Sequence, residues 1–209
     1  WATSTAAGPA FEGMSIKHGM LALPGAIYRA ENGPTKLRLF TIGKRPARGI
    51  CGTGLIDLAA LFLEQRKISR RGVIQNKNKK LAVTGRIFLG QSDIRELQLA
   101  VAAIKTGMQM MFSKSRQSLA GIEALMIAGA FGNYLSIPHS MMIGLLPRID
   151  PQKVIFIGNA SLAGAKALLL SREARKEAES LVERISYVSL AKDPAFQECF
   201  IRSLEFREW

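Results

Sequence analysis

At 209 residues, 48% hydrophobic and 22% charged, the chain has the composition of a soluble globular protein, large enough for one core or for one lobe of a bigger molecule. No apolar run approaches the roughly 20 residues that span a bilayer, and a net charge of +13 raises nucleic acid as a partner only to have the residue pattern argue against it. Arg66-Lys67, Arg70-Arg71, Lys77, Lys79-Lys80 and Arg86 carry no interleaved aromatic residues for base stacking, so a solvated basic loop is the favoured reading. The N-terminal Trp1-Ala2-Thr3-Ser4 has neither an initiator Met nor a targeting pattern, and the chain is expected to begin inside a longer protein. Cys51 and Cys199 lie far apart without CxxC spacing, which argues against a disulfide framework or a zinc site. His18 and His139 are expected in ordinary surface or capping roles.

In chain order, residues 1–34 read as a loop rich in small residues, Gly and Pro, around Ser4-Thr-Ala-Ala-Gly-Pro-Ala-Phe-Glu-Gly13. Leu37 to Ile42 is strand-like and is bounded by Gly33-Pro34 and Gly43. Gly49-Ile-Cys-Gly-Thr-Gly54 leads into Leu55 to Leu63, a predicted helix apolar on nearly every side that should be buried between layers. Asp57 is its one acid, read either as a first-turn carboxylate favoured by the helix dipole or as a group near a bound nucleotide or cation. After the basic loop comes a short apolar segment, Ile87-Phe88-Leu89, and then a long helix opened by Ser92 to Glu96. Asp93 with Glu96 resembles a capping box. Ile94, Leu97, Val101, Ile104, Met108 and Met111 form one apolar stripe in which the methionines are core filler, while Gln98 lies off the stripe, exposed or lining a cleft.

From Glu123 to Ala167 the chain punctuates two apolar runs with glycine. Ala124-Leu-Met-Ile-Ala128 enters Gly129-Ala-Phe-Gly-Asn133, and Val154-Ile-Phe-Ile157 enters Gly158-Asn-Ala-Ser161. Each reads as a strand buried on both faces, followed by a tight turn into a helix. Pro138 to Leu146 reads as a short helix stopped by Pro147, and Ser171 to Arg184 as an outer, solvated helix. Ile185 to Leu190 reads as a final strand, and Asp193-Pro194 opens a last helix with Phe196, Phe200 and Leu204. Alternating strands and helices make the fold class α/β.

No hydrolase triad, dinucleotide fingerprint or Walker A pattern is present in the sequence. What remains are turns where glycine lets a ligand approach the main chain: Gly129 to Asn133, Gly158-Asn159, Gly52-Thr53-Gly54 and Thr5 to Gly8.

The runs Ser4 to Gly13, Gly52-Thr-Gly-Leu-Ile-Asp-Leu58, Asp93-Ile-Arg-Glu-Leu-Gln-Leu-Ala100, Ala128-Gly-Ala-Phe-Gly-Asn-Tyr134, Ile143-Gly-Leu-Leu-Pro147, Phe156-Ile-Gly-Asn-Ala160 and Asp193-Pro-Ala-Phe-Gln197 resemble, in order, the C-terminal domain of the ATP-dependent reductive activators of corrinoid proteins. These belong to the superfamily that includes acetate and sugar kinases, Hsc70 and actin. The resemblance implies a ribonuclease-H-like α/β lobe of that actin-like ATPase superfamily, with a mixed sheet and flanking helices, forming one wall of an ATP cleft. It further implies a cytoplasmic protein that binds Mg-ATP, with a corrinoid protein as partner and electron transfer from an iron–sulfur centre to cobalt. Gly129, Ala130, Gly132 and Asn133 match the family's adenosine-side turn, with Ala130 standing where broader superfamily members often carry a second glycine. Thr5, Gly8, Gly54 and Asp57 fall in matching runs near the cleft.

Full-length relatives also carry a ferredoxin-like domain and two Asp-Gly phosphate loops, and this sequence contains neither, so residues 1–209 are expected to be the C-terminal lobe alone, without ATPase activity of its own. Its own upstream domains are then partners, and a homodimer is left open. The alternative is a non-catalytic binding or dimerisation module that docks an acidic partner through the basic loop. A small-molecule kinase is a third reading, for which no residue suggests the acceptor.

Overall fold

The computed structural model describes residues 1–129, 132 and 134–209. Its core is organised round α1 (Gly52–Glu64), in which every residue from Gly52 to Phe62 is buried. A helix with no polar face must be covered on all sides. One cover is a mixed three-stranded sheet of order β2-β1-β3, in which β1 (Ala26–Glu31) runs antiparallel to β2 (Arg38–Thr41) and parallel to β3 (Gly49–Ile50). The central strand β1 lies inside the stretch expected to be a loop. Ala26, Ile27 and Ala30 are fully buried while Arg29 pairs with Glu31 at the surface, and a bulge between Ile27 and Arg29 breaks the two-residue period.

The basic segment is more ordered than a loop. It includes β4 (Lys80–Thr84), which pairs antiparallel with β5 (Ile87–Gly90). Leu81, Ile87 and Leu89 enter the core, and the Lys80 and Lys17 ammonium groups lie over the Phe88 ring at 4.9 and 5.1 Å. The long helix α2 (Gln91–Ser115) joins the same core through Ile94, Leu97, Ala100 and Val101. Its start differs from the expected box: Gly90 is the cap, and Asp93 reaches back to accept the Gly90 N–H at 2.7 Å while its second oxygen accepts the Lys17 N–H at 2.9 Å. Gln98 is buried, accepting from Arg95 at 2.6 Å and donating to the Leu204 carbonyl at 2.6 Å, so it bridges α2 to the C-terminal segment instead of lining a cleft.

The two glycine-punctuated strands form a parallel pair, β6 (Leu125–Ala128) and β7 (Val154–Gly158), with α3 (Ile137–Met142) in the crossover between them. Burial on both faces is not observed. Met126 is 62% exposed, and Ile155, Phe156 and Ile157 of β7 are exposed as well, because no layer covers these faces among the described residues. The apolar α4 (Ala160–Leu170) that follows has no buried residue. α5 (Arg172–Arg184) is a solvated helix, as expected, capped by the Ser171 hydroxyl.

Ile185 to Leu190 forms no regular strand. Tyr187 makes one isolated parallel bridge, to Ala2, and a single residue of partner cannot extend a ladder. α6 (Phe196–Ser203) then packs on α2, and the chain end returns to the core, where Phe206 is buried and the Trp209 indole N–H donates to the Gly144 carbonyl at 2.9 Å. No helix among the described residues is long and apolar enough to cross a membrane.

One charge is enclosed by this closure. Lys105, in the middle of α2, is 2% exposed and donates to the Arg207 carbonyl at 3.1 Å. Burial, and then the neighbouring Arg207 charge, push its ammonium down from 10.5 to about 8, with Cys199 and Glu205 opposing. The unfolded chain therefore holds more protons than the folded one between about pH 8 and 10.5, so stability rises with pH across that window, by about 3 kcal/mol in all. Denaturant unfolding at pH 7 and pH 10 should show this rise for the wild type relative to Lys105→Met, in which the contribution is absent.

Candidate functional site

The turn after β6 is shaped by backbone needs. Gly129 has φ +98°, a conformation that favours glycine, and its N–H donates to the Gly158 carbonyl at the end of β7 at 2.7 Å. Among the described residues no atom lies within 4 Å of where a Cβ on Gly129 would stand, so none of them covers this face of the turn. Gly132 is closed in: a Cβ there would lie 2.9 Å from the Ile127 side chain and 3.0 Å from the Phe156 ring. Gly132 N–H donates to the Gly129 carbonyl at 3.3 Å, and Leu135 N–H to the Gly132 carbonyl at 3.1 Å. Ala130 and Asn133, the other two residues of the expected adenosine-side turn, lie outside the described residues. Asn159 caps α4 by accepting the Leu162 N–H at 3.0 Å, and Gly158 supplies the carbonyl that anchors Gly129, so the second glycine turn braces the first.

The chain leaves this turn through Tyr134, whose exposed ring meets Tyr28 of β1 edge-on at 5.4 Å. Two cavities flank the tyrosine pair. One, of about 290 Å³, is bordered by Asp57, Ser136 and His139; the other, of about 740 Å³, is more apolar and reaches Cys51, Gly52 and Thr53 at the start of α1. Asp57 lies beyond the first turn of α1, so the helix dipole does not account for it. Its carboxylate is 2% exposed, accepting the Ala30 N–H at 3.0 Å and meeting His139 Nδ1 at 2.7 Å. His139, expected at the surface or as a cap, instead pairs with this acid from α3. The carboxylate and imidazole together have the arrangement in which a carboxylate orients a ring and leaves Nε2 as its second polar atom.

The other expected residues fall elsewhere. Gly54 is enclosed, with a Cβ position 2.1 Å from the Ile27 carbonyl, so it serves the close approach of α1 to β1. Thr5 packs its methyl against Gly107 of α2 and lines a separate apolar cavity of about 550 Å³ that also touches Leu125 at the start of β6. Gly8, at φ +68°, stands in open space. The structure thus brings Gly129 and Gly132 into one turn and Gly54 and Asp57 onto one buried helix, without gathering all of them round one cavity. Tyr28 and Tyr134 were not singled out from sequence, although Tyr134 directly follows Asn133 in the matching run.

The fold is of the actin-like ASKHA class, and comparison with known proteins is specific. The family described as the C-terminal domain of RACo, the ASKHA domain, matches residues 1–208. The chain belongs to that family. A solved structure, a reductive activator for corrinoid, iron–sulfur protein, superposes with a TM-score of 0.88 at 36% identity over 99% of this chain and 36% of its own. The corrinoid activation enzyme RamQ of Eubacterium limosum is 33% identical over 99% of this chain and 39% of its own length. A Co(II) methylated amine-specific corrinoid protein reductase of Methanosarcina barkeri is 26% identical over 97% and 42%. The chain therefore spans about two fifths of the length of the relatives it matches.

The enclosed and supported groups differ in what they tolerate. Gly54→Ala must displace the β1 backbone and should cost about 3 kcal/mol, whereas Gly132→Ala meets only side-chain atoms and should cost about 1 kcal/mol. Asp57→Ala leaves a buried N–H and an imidazole unpaired and should cost about 2–4 kcal/mol. Urea unfolding midpoints of the three variants check the order.

Proposed function

We propose that this chain is the nucleotide-binding lobe of an ATP-dependent reductive activator that drives electron transfer from an iron–sulfur centre to the cobalt of a corrinoid protein. The observation that carries the reading is the match of residues 1–208 to one family whose relatives are named for corrinoid activation and reduction. The open, positive-φ backbone at Gly129 supports a nucleotide laid against the main chain there, with Ala130, Gly132 and Asn133 completing the adenosine side. Asp57, which borders the smaller cavity beside Tyr134, is assigned to the neighbouring wall of the cleft and Gly54 to setting the helix that carries it, whereas Thr5, on a separate cavity, and Gly8 are left out of this site.

In this reading residues 1–209 are the C-terminal lobe, and upstream parts of the protein cover the bare faces of β6, β7 and α4. Parallel strand pairs normally lie between covering layers, and Met126, Ile155 and Ile157 lack one among the described residues. Those upstream parts also hold the phosphate loops and the iron–sulfur cluster. This chain's residues do not fit such a cluster: Cys51 donates to the Ile27 carbonyl, Cys199 to Gln109, and no group of three metal-binding side chains occurs among the described residues. A bound nucleotide supplies differential affinity for the closed arrangement of the two lobes, which shifts the population toward the complex competent for electron transfer. The place of action is the cytoplasm, with the corrinoid protein as partner.

A second reading, docking of an acidic partner on the basic hairpin, is favoured by the exposed Lys77, Lys80 and Arg86 around β4 and β5. Calorimetry separates the two. ATP and ADP should each give binding heat with the protein, weakened about tenfold or more when Asn133→Ala removes a polar contact worth about 1.4 kcal/mol. Absence of heat with either nucleotide, together with salt-sensitive binding to an acidic protein, selects the second reading.

A further inference from the structure

The packing of α6 and the chain end on α2 leaves a cavity of about 350 Å³ beside α2's buried charge. Its walls include Lys105 and Gln109 from α2, Cys199 and Arg202 from α6, and Arg207 and Trp209 from the closing segment. Three of these side chains are cationic. Arg202 is paired with Glu198 one turn earlier, but the Arg207 guanidinium has no ion pair among the described residues. The Lys105 ammonium, nine-tenths and more buried, has three N–H donors and one hydrogen-bond acceptor, the Arg207 carbonyl at 3.1 Å. Space for the ammonium is made by the backbone itself: Gly144 has φ +81°, and a Cβ there would lie 3.1 Å from Nζ and 2.5 Å from the Arg207 carbonyl oxygen. Gln109 directs its amide oxygen at Cys199 and Ser203, accepting from each at 3.3 Å, so its amide nitrogen is the end left for another acceptor.

Glu198, a carboxylate lining the same cavity, is engaged by Arg202, so the buried ammonium, the Arg207 guanidinium and the Gln109 amide nitrogen are left to face a further negatively charged acceptor. We propose that this cavity binds a small oxyanion, a phosphate or a carboxylate, held by Lys105 and Arg207 with Gln109 as a third donor. The site is built by α2, α6 and residues 204–209, and shares no residue with the turn at Gly129 and Gly132. Its ligand neutralises the core's one enclosed ammonium and ties the chain end to α2. Loading therefore raises the Lys105 ammonium from its depressed value of about 8 back toward the ordinary range.

The test is calorimetric titration of the full-length protein with inorganic phosphate and, separately, with acetate, against chloride at matched ionic strength. Wild-type protein should bind one or both anions at one site, and the pair of titrations tells a phosphate from a carboxylate preference. Lys105→Met should abolish the binding, and Arg207→Gln, a change at an exposed side chain that leaves the core untouched, should weaken it at least fivefold. Binding should also fall as pH rises through 8 to 10, as the ammonium loses its proton. Heat that is the same in wild type and Arg207→Gln, or no heat with either anion, overturns the proposal. Because the reading of the nucleotide turn predicts loss with Asn133→Ala and not with Arg207→Gln, failure here and failure there are distinguishable.

Discussion

The candidate site depends on one buried carboxylate. Asp57 belongs to α1, accepts the Ala30 N–H of β1 and pairs with His139 of α3, so a single side chain joins the central helix, the central strand and the helix that follows the glycine turn. A carboxylate taken out of water must keep all its partners or lose several kcal/mol, and that penalty fixes the three elements relative to one another. The reach from α1 to β1 is itself set three residues earlier by Gly54, where any side chain would collide with the Ile27 carbonyl. The Tyr28–Tyr134 contact and the two cavities beside it follow from that distance.

Two halves of the chain stand in contrast. Around α1 the interior is closed, with Ile27, Ile56, Leu58 and Ile94 fully buried, each contributing about 1.5–3 kcal/mol relative to exposure. Around β6, β7 and α4 the same kinds of residue face outward, and Leu169 and Leu170 are 75% and 89% exposed. Scattered apolar residues on a surface are ordinary, but a contiguous strand pair and helix without cover among the described residues are more than scattered exposure.

Much of the architecture was legible in the sequence. The apolar run after Gly54, the stripe of α2 and the strands β6 and β7 were each read at nearly their observed bounds, whereas the short helix expected over Pro138 to Leu146 ends at Met142. They share long or strongly patterned signals, which in α1 and α2 agree with tertiary burial and in β6 to α4 rest on the apolar runs and glycine punctuation alone. β1 escaped because its six residues mix small, aromatic and charged types and a bulge interrupts their alternation. Ile185 to Leu190 has strand composition but finds only Ala2 to pair with, which composition alone does not reveal. At the site, glycines were found as turns, but their opposite uses were hidden. Gly129 is open among the described residues, whereas Gly54 is closed by the Ile27 carbonyl, over twenty residues away in sequence. Likewise the partner of Asp57 is 82 residues distant, and no spacing rule connects them.

The turn at Gly129 is held from two directions. On one side its N–H is fixed to the Gly158 carbonyl, which ends β7 and directly precedes the Asn159 cap of α4. On the other, the backbone passes through Gly132 and Leu135 into α3, where His139 is tied to Asp57. A ligand that meets the backbone at Gly129 thus meets a junction between the closed core and the bare β7–α4 surface. Any shift of that peptide has to be shared with β7 through a 2.7 Å hydrogen bond, whereas the α3 side is anchored to a buried charge and resists. The turn is therefore braced unequally, by a buried carboxylate on the α3 side and by a single backbone hydrogen bond on the β7 side.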